Sequence, residues 1–323
     1  MKAQILHRPG VLEYMEVPLP SFGSDEVLIR LTRSCICNGS DPAIWAGAHW
    51  EQFPIVFGHE AAGEIVACGD AVTGFLPGDR IAWWFTVGAF AEYVAVAPGQ
   101  VAMVKLPDDV TDDEAPLFEL VAAAARAVDA AEIVPGSKVL IVGLGPSGLI
   151  MSQLAKIMGA EMVIGWDLYP NRRELGLSLG CDRVYDNGVA GFVESMLEVE
   201  AGDPADVVID AYADDLLPGS STLNDAIRAV RPGGLIISYG HPQQGRMIDI
   251  FELQKKGVTM RGPVNDMIQI RIYMERAVGY VLDGRLNLKA LISGRVSLDR
   301  VGDGLELVMK QPERYLKILV DIP

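Results

Sequence analysis

Along the first third of the chain, hydrophobic residues come in short runs broken by glycine, proline and aspartate. "QILHRPG", "DEVLIRLTRS", "AAGEIVACG", "GDRIAWWF" and "AEYVAVAPG" are rich in Val, Ile and aromatic residues. Such runs suit a pleated, half-buried surface, and their close spacing predicts a small β-barrel-like unit. The pattern changes near Thr111. "TDDEAPLFELVAAAARAVDAAE" has an acidic start and an alanine-rich body, which predicts a helix. From Lys138, strand and helix patterns alternate. "KVLIVG", "EMVIGWD", "DVVIDAY" and "LIISYG" are apolar strand runs, and "PSGLIMSQLAKIMG", "PNRRELGLSLG" and "TLNDAIRAVRPGG" are helical. This alternation predicts a doubly wound parallel sheet, with "VTMRGPV" adding a last strand. After Pro263, "MIQIRIYMERAVGYVLDG" and "LDRVGDGLELVMK" predict amphipathic helices, and "YLKILVDIP" a closing strand. The fold class expected is α/β.

Length and charge narrow the function. At 323 residues the chain favours two domains. A net charge of −16 disfavours a nucleic-acid backbone or an anionic lipid surface and favours a small neutral substrate. The longest apolar run, Val139 to Met151, is broken by glycines and a proline and is too short to span a membrane. "MKAQILHRPG" lacks a cleavage-site pattern, so no signal peptide is expected. Cys35, Cys37, Cys68 and Cys181 do not form a secreted disulfide framework in a chain this long. A reducing, cytoplasmic setting is the expectation.

"VLIVGLGPSG" holds Gly143, Gly145, Pro146, Ser147 and Gly148 in a G-x-G-x-x-G that follows a predicted strand and opens a predicted helix. Gly143 permits the tight turn, Gly145 lets the backbone approach a pyrophosphate, and Gly148 lets helix and strand pack closely. The helix start then offers free amides and a positive dipole to phosphate. The second strand ends at Asp167, 19 residues after Gly148. A carboxylate there accepts ribose hydroxyls and repels a 2′-phosphate, which favours NAD over NADP. Arg172 and Arg173 follow, and either is long enough to receive a 2′-phosphate. A βαβ unit that binds no nucleotide is the plain structural alternative.

Cys37, His59, Glu60 and Glu119 are metal-capable. Their spacing alone leaves other readings open: a buried structural thiol at Cys37, a hydrogen-bonded turn at His59. Glu119 is harder to explain so, because "PLFELVAAAA" is apolar and a buried carboxylate needs a partner or a cation.

Taken together, "EVLIRLTRSCICNGSD", "FPIVFGHEAAGEIVACGDAVTGFLPGDRIA", "GAFAEYVAV", "LPDDVTDDEAPLFELVAAAARAV" and "GSKVLIVGLGPSGLIMSQLAKIMGA" resemble the medium-chain dehydrogenase/reductase superfamily. The likeness is strongest to its zinc-dependent alcohol and polyol dehydrogenases, sorbitol dehydrogenase among them, and it runs nearly end to end. It implies a GroES-like catalytic domain, residues 1–112 and 263–323, interrupted by a Rossmann domain, residues 113–262. It places the catalytic zinc ligands on Cys37, His59 and Glu119, with Glu60 where the family's carboxylate approaches or joins the metal. Ser40 falls on the proton-relay hydroxyl. A strand like "LIISYG" would lie at the sheet edge and pair with its two-fold mate in a homodimer or homotetramer.

Three departures stand out. The family commonly reads Cys-x-Ser/Thr-Asp, whereas here Cys37-Asn38-Gly39-Ser40-Asp41 inserts one residue between thiol and hydroxyl. Ala43 stands where relatives often carry the relay histidine, leaving a ribose hydroxyl to water as an exit route, with His49 and His241 as other possible endpoints. The four-cysteine lobe of many relatives is also missing: only "IAWWFTV" separates Arg80 from Gly88. One catalytic zinc and no structural zinc are therefore expected, with Trp83 and Trp84 as packing residues. Trp45, His49, Trp50 and Phe53 are candidates for the substrate wall. The expected activity is hydride transfer between a secondary alcohol (polyol, sugar or cyclic alcohol) and NAD, with the corresponding ketone as product. A zinc-free NADPH-dependent quinone or enone reductase and a non-catalytic NAD-binding redox sensor are the alternatives.

Overall fold

A computed structural model describes residues 1–48, 52–84, 87–200, 202–212, 221–242 and 245–323. The chain forms two compact units, Met1–Ala123 with Asp266–Pro323, and Ala124–Asn265. Both divisions lie downstream of the sequence expectation of 112/113 and 262/263. The first falls inside a helix, Phe118–Ala130, whose alanine-rich run is continuous across it.

The strands of the first unit are β1 (Lys2–Arg8), β2 (Val11–Glu16), β3 (Val27–Ile36), β4 (Ile55–Val56), β5 (Glu60–Cys68), β6 (Arg80–Trp84), β7 (Tyr93–Val96) and β8 (Ala102–Lys105). Those of the second are β9 (Lys138–Val142), β10 (Met162–Trp166), β11 (Arg183–Tyr185), β12 (Ala205–Asp210), β13 (Val230–Ser238) and β14 (Thr259–Arg261). β15 (Ile292–Ser297) and β16 (Lys317–Asp321) return to the first unit. The helices in chain order are α1 (Ser40–Trp45), α2 (Phe118–Ala130), α3 (Pro146–Ile157), α4 (Pro170–Ser178), α5 (Phe192–Val199), α6 (Thr222–Ala229), α7 (Ile250–Lys256), α8 (Met267–Leu282) and α9 (Val301–Lys310). No described helix is long and apolar enough to cross a membrane.

The main sheet of the first unit runs β15-β16-β3-β5-β6-β8, with β7 on β3. Period-two alternation drives it: Val27, Ile29 and Leu31 of β3 all point inward and pack with Ile65, Ile81 and Trp83. Trp83 is fully buried in that cluster, so this indole fills the core of the shortened segment. One pairing matters for the site. The last strand of the chain, β16, lies antiparallel to β3, with Ile318 opposite Ile36 and Leu319 opposite Cys35. β5 flanks β3 on the other side, with Glu60 opposite Cys35.

The second unit is a six-stranded parallel sheet in the order β11-β10-β9-β12-β13-β14. From β9 the chain winds outward through β10 and β11, then returns to β12 and winds the other way. The strand order therefore reverses between β9 and β12, the place where such sheets bind ligands. Its strands are buried on both faces: Leu140, Val142, Ile164, Trp166, Val208 and Ile236 form one cluster, and the alternate residues Val139, Ile141, Val163 and Ile209 are buried as well. This sheet corrects one expectation. "LIISYG" is β13 and is paired on both sides, to β12 and β14. The edge is the three-residue β14, because Thr259–Arg261 supplies one more rung beyond it.

Candidate functional site

The metal-capable residues converge because three neighbouring strands deliver them. Cys37 follows the last residue of β3, His59 and Glu60 stand at the start of β5, and Lys317 opens β16. Ligand atoms of Cys37, His59 and Glu60 all lie within 4.8 Å of one another. Asp41, fully buried in α1, organises the group. One carboxylate oxygen accepts the backbone N–H of Cys37 at 2.8 Å, and the other lies 3.0 Å from His59 Nδ1. That sets a carboxylate against the Nδ1 side of the ring, the setting in which a carboxylate orients a metal-binding histidine. The turn closes with the Ser40 N–H donating to Cys37 Sγ at 3.4 Å. Burial alone would lower the His59 pKa, but Asp41 and Cys37 outweigh it and hold the ring well above its ordinary value.

Glu60 is fully buried, and both its oxygens accept from Lys317 Nζ, at 2.7 and 2.5 Å. The same ammonium donates to the Ile36 carbonyl at 3.1 Å. Burial works against the Lys317 charge, yet Glu60 outweighs it and raises the pKa. Nothing in "YLKILVDIP" signalled this lysine beyond its charge at the start of an apolar run.

Glu119 sits in the first turn of α2, 4% exposed. It lies outside the tightest group but within its field. Burial pushes its pKa up to about 7, with His59 and Lys317 opposing and Glu60 and Asp41 adding to the rise. No described residue donates a hydrogen bond to its carboxylate. A buried carboxylate without a protein donor, within the field of His59, fits a divalent cation. Cys37, His59 and Glu119 are also the donor types that zinc accepts.

Ser40 is half-buried at the start of α1, and its hydroxyl makes no hydrogen bond to another described residue. Ala43, in the same helix, is buried. His49 and Trp50 lie outside the described residues. His241 is exposed and belongs to the second unit.

The glycine-rich turn connects β9 to α3. Gly143 has φ +90°, and a Cβ on Gly148 would lie 1.9 Å from the Gly143 carbonyl oxygen. Glycine is thus the residue both positions tolerate. Above Gly145 the nearest atom to a built Cβ is Arg172 Nη1 at 3.8 Å, so the approach to the α3 N-terminus is open. Pro146 opens α3, and the Ser147 hydroxyl is 3.1 Å from the Tyr239 hydroxyl. At the end of β10, Asp167 accepts the N–H groups of Leu144 and Tyr169, both at 2.8 Å. Asp167 therefore also ties the glycine-rich turn to the second strand. Burial raises its pKa against the pull of Arg172, whose Nη1 is 3.7 Å away. Arg172 stacks over the Tyr169 ring at 4.8 Å, while Arg173 bonds backbone carbonyls of Asp167 and Leu168 and pairs with Asp186.

Comparison with known proteins accords with this geometry. The family described as zinc-binding dehydrogenase matches residues 146–272, and the alcohol dehydrogenase GroES-like domain matches residues 23–108. The L-threonine 3-dehydrogenase of Sinorhizobium medicae (strain WSM419) is 30% identical, over 95% of this chain and 95% of its own. The sorbitol dehydrogenase of Bacillus subtilis (strain 168) is 25% identical, over 99% and 97%. A crystal structure of a zinc-binding dehydrogenase from Sinorhizobium meliloti 1021, bound to NADP, superimposes with a TM-score of 0.86 at 26% identity, covering 99% of each chain. The chain belongs to the zinc-dependent medium-chain dehydrogenase/reductases, with a GroES-like and a Rossmann fold. It is an NAD(P)-dependent alcohol dehydrogenase, an enzyme of zinc and a nicotinamide dinucleotide.

Asp41 and Lys317 are the functional-site residues that sequence reasoning missed. Asp41 was legible in principle: a histidine ligand needs its second ring nitrogen oriented, and "CICNGSD" ends in the carboxylate that does it. Lys317 was not, because it lies 257 residues from Glu60 and only the β16–β3–β5 pairing joins them.

Proposed function

We propose that this enzyme interconverts a secondary alcohol and its ketone with NAD, using one zinc per chain held by Cys37, His59 and Glu119. The observation that carries the reading is the convergence of Cys37, His59 and Glu60 within 4.8 Å, with Asp41 set behind the histidine. When bound, zinc supplies Lewis acidity to an alcohol oxygen, and the nicotinamide accepts or returns the hydride.

The remaining work falls to the protein's own side chains. Asp41 holds the His59 tautomer, and the Ser40 N–H steadies the Cys37 sulfur. Cys37 as thiolate and Glu119 as carboxylate bring two negative charges, which match a divalent cation. The charge of Glu60 is balanced separately by Lys317, so Glu60 stands beside the metal set as a compensated neighbour. Ser40 receives the alcohol proton at its hydroxyl oxygen and passes its own hydrogen on, with His49 or water as the endpoint.

NAD is favoured over NADP because the Asp167 carboxylate opposes a 2′-phosphate, while Arg172 beside it moderates that opposition. The relatives named for L-threonine and sorbitol support a polar, hydroxyl-bearing substrate class. A homodimer or dimer-based tetramer forms through the β14 edge, since a short open edge strand invites pairing. Met247, Ile250 and Phe251, all strongly exposed on the same unit, are in keeping with it.

The test is a panel of polyols, amino alcohols and secondary mono-alcohols with NAD and with NADP, read by absorbance of the reduced nicotinamide. Oxidation of a secondary alcohol with NAD preferred is expected, and Asp167→Ser should narrow that preference. Preference for NADP in the unaltered enzyme overturns the role of Asp167. Reduction of quinones or enones without any alcohol turnover overturns the reaction.

A further inference from the structure

The carboxyl ends of β9, β12 and β13 are laced together by backbone bonds. Ala211 N–H donates to the Val142 carbonyl at 2.9 Å, and the N–H groups of Tyr239 and Gly240 both donate to the Asp210 carbonyl at 3.0 Å. The segment after β13 therefore has a fixed origin, and Tyr239 is its first residue. From there its side chain reaches back over the end of β12 to Ser147, with hydroxyl oxygens 3.1 Å apart. Ser147 is in the first turn of the twelve-residue α3, inside the Gly143–Gly148 turn. The Tyr239 hydroxyl thus stands over the crevice where the strand order reverses, within hydrogen-bond reach of the helix start that faces a pyrophosphate.

We propose that Tyr239 is a dinucleotide-positioning residue, its hydroxyl donating to the phosphate on the nicotinamide side of the cofactor. This rests on the nicotinamide-dinucleotide reading above. The side follows from strand order: Asp167, at the end of β10, marks the adenosine end, and β13 lies on the opposite side of β9. A neutral phenol suits this place, because it donates to a phosphate oxygen and re-aims by rotating about its C–O bond. Ser147 holds the hydroxyl in position before the ligand arrives, which reduces the ordering that binding must impose. The hydroxyl adds a neutral donor beside the α3 dipole, while Arg172, near Gly145, is the charged group at the same turn.

The experiment is calorimetric titration of the whole enzyme and of Tyr239→Phe with NADH, ADP-ribose and AMP. NADH and ADP-ribose carry both phosphates; AMP carries only the one on the adenosine side. Loss of one hydrogen bond to a charged group predicts about tenfold weaker binding of NADH and ADP-ribose by Tyr239→Phe. AMP should bind as it does to the unaltered enzyme, which also establishes that the variant is folded. Equal affinities for all three ligands overturn the proposal, as does tighter binding of NADH. A uniform loss across all three overturns it too, because the hydroxyl would then act through the fold. If the unaltered enzyme binds neither NADH, NADPH nor ADP-ribose, the dinucleotide reading itself fails, which is a different result from an unaffected Tyr239→Phe.

Discussion

Lys317 meets Glu60 with both partners sealed from solvent, 1% and 0% exposed, across the β16–β3–β5 strands. Such a pair is weak evidence of net stabilisation, but breaking it strands a buried charge. Lys317→Met should lower unfolding stability by about 3–5 kcal/mol. The double variant Lys317→Met with Glu60→Gln should recover part of that loss, since both charges are then gone. Urea denaturation of the three proteins measures the coupling. Equal losses in the single and double variants would mean the ammonium serves packing alone.

Asp41 acts on metal affinity through His59. Asp41→Asn keeps an oxygen for the Cys37 N–H but replaces the carboxylate that faces Nδ1. Zinc affinity should fall about 10–100-fold, read by competition with a chromogenic chelator. Affinity within about twofold of the unaltered enzyme would remove Asp41 from the metal site.

Ser40 tests whether the inserted residue displaces the relay. Ser40→Ala should lower turnover on the order of a hundredfold while leaving NADH affinity in place. Steady-state kinetics beside a binding titration separates the two. Unchanged turnover would place the proton path elsewhere.

Cys181 supplies a pH signature away from the active site. It is 5% exposed, burial pushes its thiol up to about 11, and its Sγ lies 3.3 Å from Ser152 Oγ. An unfolded thiol titrates near 8.5, so between about 8.5 and 11 the folded state binds more protons. Its contribution to stability is present below that window and is lost as pH rises through it. Cys181→Ala should flatten the alkaline decline in urea midpoint relative to the unaltered protein. An identical slope in both would show that the thiol titrates alike in both states.

Much of the fold was legible because its periodicities are strong. The alternation from "KVLIVG" to "LIISYG" carries the parallel sheet, and the observed strands β9, β10, β12 and β13 lie on those runs. Short elements escaped. β11 has three residues, and α5 buries only Phe192, Val193 and Met196. Neither is long enough for a pattern to rise above its surroundings. The edge expected at "LIISYG" moves by one strand for the same reason, since β14 adds only Thr259–Arg261. At the site, Cys37, His59 and Glu119 stand out as residue types in unusual company. Lys317 and Tyr239 act through partners 257 and 92 positions away, a relation that only register and strand order express.

The most direct measurement is zinc content by elemental analysis of the enzyme purified without chelator, alongside Cys37→Ala and His59→Ala. One zinc per chain in the unaltered enzyme is expected, because one group of metal-capable side chains, around Cys37 and His59, is present among the described residues. Both variants should lose the zinc and the alcohol turnover while still binding NADH, since the glycine-rich turn belongs to the other compact unit. Zinc retained in both variants, two zincs per chain, or none in the unaltered enzyme would contradict the assignment of Cys37 and His59 as its ligands.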